Sequence, residues 1–269
     1  MVNDAVIEWM NKEKLGNAEI GEVSWSLPVV GETWDGRLND INGFHVRREH
    51  AFEALNSALG GPVGEGNVGG GTGMMCHQFK GGIGTSSRMV DVYTVGVLVQ
   101  ANYGLREQLM IAGVPVGLEI SDLMPGIKGE SGEGGSIIAV VATDAPLLPH
   151  QLKRLARRVG MGVARVGGVA GNGSGDIFIA FSTANPGAWR KTGKSELVML
   201  SNDGMTPLFE ASVQAVEEAI VNALTVAEAM TGFNGNTVYA LPHERLRDVL
   251  RKYNRLEELE SGICDGCNR

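Results

Sequence analysis

The chain has 269 residues, of which 43% are hydrophobic and 20% charged, and its formal net charge is −8. This composition is typical of a globular protein with a sizeable core, and the negative charge argues against a nucleic-acid-binding surface. No apolar run approaches the roughly 18 residues of a membrane span, and residues 1–7 lack the features of a signal peptide, so we expect a cytoplasmic protein without membrane contact.

In the first half of the chain, predicted elements alternate with glycine-rich segments. The patterns predict helices over residues 4–14 and 47–59, and strands over residues 23–30, 74–79 and 94–100. Residues 80–88 are predicted to be the loop between the last two strands, and residues 108–116 a hairpin. The chain holds 39 glycines, about twice the usual share, without a repeat, which favours loops and close backbone contacts over low complexity.

In the second half, residues 136–142, 177–182 and 195–200 read as strands, and residues 125–135 as a loop. Helices are predicted over residues 148–163, with a basic solvated face, over residues 207–230 and over residues 243–253. Because strands and helices occur both in blocks and in alternation, the fold class is predicted to be α+β or a layered α/β sandwich.

The glycine-rich segment 171–176 precedes the buried strand at residues 177–182 and contains one hydroxyl, that of Ser174. Such a backbone allows positive φ and close approach of another group, so the Ser174 oxygen could attack the carbonyl that precedes it. After cleavage the new α-amine would lie beside the hydroxyl and could act as its general base. The alternative is an ordinary glycine-rich turn.

A second candidate region is the loop at residues 31–43, which is dense in acids, amides and glycines and includes Glu32 and Trp34. Carboxylates beside an aromatic ring suit a cationic amine, which makes this loop a candidate pocket wall. A structural loop is the alternative.

Other kinds of site find little support. The five histidines show no paired ligand spacing, and Cys264 with Cys267 forms a single Cys-x-x-Cys at the tail, a weak metal or redox signal. The segment around Ser174 leads into a strand, which excludes the nucleophile elbow of α/β-hydrolases.

Several long motifs, in one order along nearly the whole chain, resemble the L-aminopeptidase/D-esterase and β-peptidyl aminopeptidase family. They are ETWDG (32–36), LNDIN (38–42), GNVGGGTGM (66–74), FKGGIGTSSR (79–88), VQANYG (99–104), ATDAPL (142–147), NGSGD (172–176) and VYALP (238–242).

The resemblance implies a four-layer αββα sandwich similar to that of N-terminal-nucleophile hydrolases. It implies one domain, residues 1–269, made as an inactive precursor that cuts itself between Gly173 and Ser174 into residues 1–173 and 174–269. The products stay together and form homotetramers. The implied activity is that of a serine aminopeptidase, a hydrolase that releases N-terminal residues, including β-amino acids, from peptides, amides and esters without cofactor or metal.

The resemblance also implies roles for single residues. Ser174 is the nucleophile, an Asn donates to the oxyanion, and a Ser and a Glu on the long following helix assist. Asn102 is the candidate donor, and Glu218, or its neighbour Glu217, is the candidate acid. The helper Ser is missing, because Ala215 and Val216 precede the two acids and Ser212 lies one turn earlier.

The substrate amine is assigned to Glu32 and Trp34. The segment Thr143–Asp144 is a second candidate for the oxyanion site. Since an ionised carboxylate cannot donate, Asp144 is assigned to substrate binding.

Two alternatives remain open at this point. One is an acyltransferase, in which an amine rather than water captures the acyl group; the other is an inactive remnant. The family is expected to have an N-terminal segment with its own strands before the helix at residues 4–14. We therefore expect the chain by itself to be poorly active and prone to associate, because missing strands expose sheet edges.

Overall fold

The computed structural model describes residues 1–13, 15, 26–128, 135–188 and 193–257. The helices are α1 (Val2–Lys12), α2 (Arg48–Asn56), α3 (Val116–Glu119), α4 (Pro149–Ala156), α5 (Val159–Arg165), α6 (Thr206–Val226) and α7 (His243–Lys252). The strands are β1 (Met75–Cys76), β2 (Phe79–Lys80), β3 (Gly82–Val90), β4 (Tyr93–Asn102), β5 (Ser136–Thr143), β6 (Ile177–Ser182), β7 (Met230–Thr231) and β8 (Thr237–Val238).

The main sheet has four strands in the order β3-β4-β5-β6. The first three are antiparallel neighbours, and β6 runs parallel to β5. Asn102 at the end of β4 faces Ser136 at the start of β5, and Ile138 faces Ile177 at the start of β6. Asn102, Ser136 and Ile177 mark one end of the strands. We call it the Ser174 end of the sheet, because Ser174 lies just before β6.

One face of the sheet is covered by helices. Every second residue of β4 and β5, such as Val97, Val99 and Ala139, is buried in the main core, as expected for strands with one covered face. Helix α6 lies on β3 and β4, and α4 on β6. The contact with β3 is close: a Cβ at Gly84 would lie 1.9 Å from the Ala219 carbonyl oxygen of α6.

The other face is only partly covered by the described residues. Leu98, Ile138 and Val140 point to this face and are half-buried. The loop that carries Glu32 and Trp34 crosses it at the Ser174 end. A Cβ at Gly31 would lie 3.1 Å from the Ile138 Cδ1 atom.

Most long elements agree with the predictions from sequence. The strands at residues 136–142 and 177–182 and the helices near both chain ends are confirmed. The second of these strands was predicted to be buried but is half-buried, with Ile177 and Phe181 exposed. The long C-terminal helix begins at Thr206 but ends at Val226, four residues early. The predicted helix at residues 148–163 is divided into α4 and α5. Its basic face is partly stacked, since the guanidinium carbons of Arg154 and Arg158 lie 5.1 and 3.9 Å from the Phe209 ring centroid.

Other predictions are wrong. Residues 80–88 were expected to be a loop, but β3 occupies Gly82–Val90. Residues 195–200 and residues 26–30 form no strand, while residues 23–25 lie outside the described part. The hairpin at residues 108–116 is reduced to one pairing, Ile111 with Val114. Within the described ranges, no helix combines the length and apolar character that crossing a membrane requires.

Candidate active site

Ser174 ends a tight turn that leads into β6. Its N–H donates to the Gly171 carbonyl (2.9 Å), and the N–H of Gly175 donates to Ser136 Oγ (2.9 Å). Positive φ falls on Ala170 (48°) rather than on the glycines at 171, 173 and 175. A Cβ at position 175 would lie 3.1 Å from Ser136 Oγ, a tight contact with the group that accepts the Gly175 N–H.

The hydroxyl of Ser174 donates to the carboxylate of Asp176. The Oγ–Oδ1 distance is 2.5 Å, in the range of a charge-assisted hydrogen bond. The same Oδ1 atom accepts the N–H of Ile137 on β5 (3.1 Å), so the carboxylate is fixed to the sheet. Sequence reasoning missed this role for Asp176; its one signal was the position two residues after the serine.

Tyr103 lies beside this pair. Tyr103, Gly104, Gly135, Ala170, Ser174 and Asp176 line a small pocket. Tyr103 is only 6% exposed, and its hydroxyl has no hydrogen-bond partner among the described residues. Burial raises the phenol pKa well above its usual value, and the negative charge of Asp176 raises it further. The phenol therefore keeps its proton and can donate it in a hydrogen bond.

A buried histidine packs against Tyr103. The His77 and Tyr103 ring centroids lie 4.9 Å apart with an interplanar angle of 69°. The His77 Nδ1 atom bonds the Leu105 carbonyl (3.0 Å), and Nε2 has no partner within the described ranges. Burial lowers the pKa of His77 to about 4, so the imidazole is neutral near pH 7.

Asn102 lies at the Ser174 end of the sheet, but its amide already has partners. Oδ1 accepts the N–H of Met75 (2.9 Å), and Nδ2 donates to the carbonyl of Trp34 (2.8 Å). Its cross-strand neighbour is Ser136, the serine that binds the Gly175 N–H. Asn102 thus ties the Trp34 loop to the sheet near Ser174, and its use as an oxyanion donor stays a prediction.

Glu32 and Trp34 are exposed on that loop. Glu32 lines a cavity of about 740 Å³ together with Asp35, Asp40 and Phe44. The guanidinium carbon of Arg37 lies 5.6 Å from the centroid of the Trp34 ring. The aromatic side chains that line this cavity include Phe44 and Phe233 but not Trp34, so the binding of an amine by Glu32 and Trp34 stays a prediction.

Asp144 and Ser174 lie at opposite ends of the sheet. Asp144 follows the far end of β5, where its Oδ1 accepts the N–H of Thr94 (2.7 Å), and Thr143 Oγ1 donates to the Thr94 carbonyl (2.6 Å). The eight residues of β5 place the two ends roughly 23 Å apart. Both Thr143 and Asp144 therefore lie opposite the Ser174 end.

Glu218 is also remote from Ser174. Its carboxylate accepts from Ser86 Oγ (2.9 Å) and pairs with Arg88 (2.5 Å), both on β3. Strands β3 and β6 are the two edges of the sheet, about 14 Å apart at the usual strand spacing.

The other polar groups of α6 are engaged elsewhere. Glu217 pairs with Arg165 at the end of α5. Ser212 donates to the Leu208 carbonyl of its own helix (2.8 Å). Positions 215 and 216 hold no serine, and the Ser212 hydroxyl is bonded within its own helix.

The described part of the chain contains no group of three or more metal-ligating side chains. Cys76 is buried, and burial raises its thiol pKa to about 12, so it is not a reactive thiolate. The pair Cys264 and Cys267 lies outside the described residues.

Comparisons with known proteins converge on one group. Residues 1–238 match the profile of peptidase family S58. The beta-peptidyl aminopeptidase BapA of Sphingosinicella microcystinivorans is 51% identical over 95% of this chain and 67% of its own length. That of Sphingosinicella xenopeptidilytica is 50% identical over 84% and 60%. The chain thus spans about two thirds and three fifths of these relatives.

Solved structures agree with the sequence matches. The L-aminopeptidase D-Ala-esterase/amidase of Ochrobactrum anthropi, described as a prototype of the serine aminopeptidases with a variant Ntn hydrolase fold, superposes with a TM-score of 0.87 and 47% identity. The match covers 96% of this chain and 71% of that one. A Burkholderia sp. beta-aminopeptidase gives a TM-score of 0.82 at 46% identity, covering 93% and 70%. These matches confirm the predicted fold class.

Proposed function

The chain belongs to peptidase family S58, and from this premise we propose that it is a self-processing serine aminopeptidase or amidase with Ser174 as nucleophile. The observation that carries the proposal is the Ser174 hydroxyl held 2.5 Å from the Asp176 carboxylate, just before strand β6 and beside a small pocket. The aminopeptidase activity is supported by the family and by the names of the relatives.

Self-cleavage would occur between Gly173 and Ser174, giving one product that ends at residue 173 and one that starts at residue 174. The products would remain associated because they share one core. Strand β6 of the second product is hydrogen-bonded to β5 of the first, and α6 of the second packs on β3 and β4.

In the processed enzyme the α-amine of Ser174, with a pKa of roughly 8, accepts the hydroxyl proton. The oxygen then attacks the substrate carbonyl, the amine or alcohol leaves, and water hydrolyses the acyl-enzyme. Asn102 has a second N–H available for the oxyanion, and Glu32 and Trp34 bind the substrate amine. No cofactor takes part in this scheme.

The substrates proposed are peptides, amides and esters with a free N-terminal amine. The relatives named beta-peptidyl aminopeptidases and the Burkholderia beta-aminopeptidase favour β-amino acids among the residues released. The family resemblance favours a homotetramer, which light scattering would test. The cytoplasmic location stays a prediction.

The test uses the full-length protein and two p-nitroanilides, one of an L-α-amino acid and one of the matching β-homoamino acid. Ser174→Ala should abolish release of p-nitroaniline from both, because the same oxygen forms every acyl-enzyme. Ser57→Ala, at the exposed end of α2, is the matched control and should keep the wild-type rate. A Ser174→Ala protein as active as the control would refute the assignment.

A further inference from the structure

We propose that Asp176 is the general base of self-cleavage, taking the hydroxyl proton of Ser174 while the Gly173–Ser174 bond is still intact. This inference rests on the proposed self-processing function. In the processed enzyme the free amine of Ser174 can act as base, but in the precursor that nitrogen is part of a peptide bond and carries no basic lone pair. The first cleavage therefore needs another base.

The uncleaved chain already presents one. Asp176 Oδ1 accepts the hydrogen bond of Ser174 Oγ at 2.5 Å, within the reach expected of a general base. Because Oδ1 also accepts the Ile137 N–H (3.1 Å), the carboxylate is held against β5 and cannot follow a moving loop. The base is thus anchored to the sheet, and the serine lies at the end of the turn at residues 171–174.

The described residues around Ser174 offer no second candidate for the general base. The side chains around the small pocket beside Ser174 include no His, Lys or Glu. Of the three acids of α6, Glu217 pairs with Arg165 and Glu218 with Arg88, and Glu210 lines a separate pocket with Arg154 and Arg158. In the small pocket beside Ser174 the Tyr103 hydroxyl is buried and without a partner among the described residues, a proton-bearing donor available to the charge that develops during the reaction.

The Ser174 O–H proton passes to Asp176 as Oγ bonds to the Gly173 carbonyl carbon, whose oxygen becomes the oxyanion. When the oxyanion collapses, the Gly173 C–Ser174 N bond breaks, and the proton on Asp176 passes to the leaving amine. The product is an ester between Gly173 and Ser174. Water hydrolyses it to a Gly173 carboxylate and a Ser174 with free amine and hydroxyl.

The experiment follows processing of full-length wild type, Asp176→Asn, Asp176→Ala and a control, Asp122→Asn, by intact mass over time. The Asn variant keeps an oxygen acceptor for the Ile137 N–H but loses the base. Asp122 undergoes the same change at an exposed ion pair with Arg245. Thermal unfolding of each variant reports whether the fold survives.

We expect Asp176→Asn to process at least about 100-fold more slowly than wild type, the lower range for loss of a general base, with Asp122→Asn unchanged. Formate, a small carboxylate that fits the space left by the side chain, should accelerate processing of Asp176→Ala, which a merely structural role would not produce. An Asp176→Asn rate within about threefold of wild type, or no effect of formate on a folded Asp176→Ala, would overturn the role of Asp176. A wild-type chain that stays intact would instead contradict the self-processing function itself.

Discussion

At the scale of single residues, the proposed chemistry is concentrated in Ser174 and Asp176. The local pattern, a hydroxyl in a glycine-rich turn before a strand, left an ordinary turn as the alternative, and the family resemblance made Ser174 the candidate nucleophile. The role of Asp176 could not be read in the same way. It depends on the Ile137 N–H, 39 residues away in sequence, which orients the carboxylate.

His77 provides a pH-dependent test of the same region. Its folded-state pKa is lowered to about 4 by burial, against 6.5 in the unfolded chain. The unfolded state therefore binds the extra proton first, so the stability contributed by neutral His77 is complete above pH 6.5 and is lost as the pH falls toward 4. The loss should be on the order of 3 kcal/mol.

Urea unfolding of Ser174→Ala, with and without His77→Asn, measures this loss between pH 7 and pH 4. Asn is a suitable replacement because His77 has φ of 47°, which Asn tolerates. The stability advantage of the His77 protein over His77→Asn should shrink as the pH falls. If the free energies of unfolding of the two proteins change equally with pH, a buried neutral His77 is not the cause of the loss of stability.

At the scale of elements, strand β3 shows why local propensity failed. The segment 80–88 contains three glycines, which are depleted in strands, and it is therefore predicted to be a loop. The structure makes it an edge strand because its glycines let α6 approach. A contact between residues more than 130 positions apart, such as Gly84 and Ala219, leaves no local signal.

The same contact yields a prediction of stability. Gly84→Ala should destabilise the protein by about 1–3 kcal/mol, the usual cost of overpacking, because the added Cβ would lie 1.9 Å from the Ala219 carbonyl oxygen. Gly96→Ala on the neighbouring strand is the matched control, since its nearest heavy atom would lie 3.9 Å away. Urea unfolding in the Ser174→Ala background compares them; equal effects of the two substitutions would show that α6 does not pack this closely on β3.

Helix α6 also explains the outcome for the two predicted acids. Sequence reasoning selected Glu217 and Glu218 because they lie on the long helix after the nucleophile. Their direction depends on how α6 crosses the sheet, and this packing turns Glu218 toward Ser86 and Arg88. The sequence locates the helix but not the side of it that faces Ser174.

At the scale of the whole molecule, the motifs predicted the family and the layered fold because they extend over most of the chain, and the comparisons confirm both. Which of the candidate site residues lie close together was less predictable from the sequence. Asn102 and the Trp34 loop meet at the Ser174 end through Nδ2 and a carbonyl, whereas Asp144 lies at the opposite end. The direction of a strand decides at which end of the sheet its terminal residues lie. That direction follows only from the pairing of β4, β5 and β6.

The most direct test of the account is the N-terminal sequence and denatured mass of the protein purified from its natural reading frame. Self-cleavage at the proposed bond predicts two co-purifying polypeptides, one ending at Gly173 and one beginning Ser-Gly-Asp-Ile-Phe at Ser174. Ser174→Ala should give a single uncut chain. A wild-type protein that remains uncut, or one whose new N-terminus lies at any other residue, would contradict the assignment of Ser174 as the nucleophile.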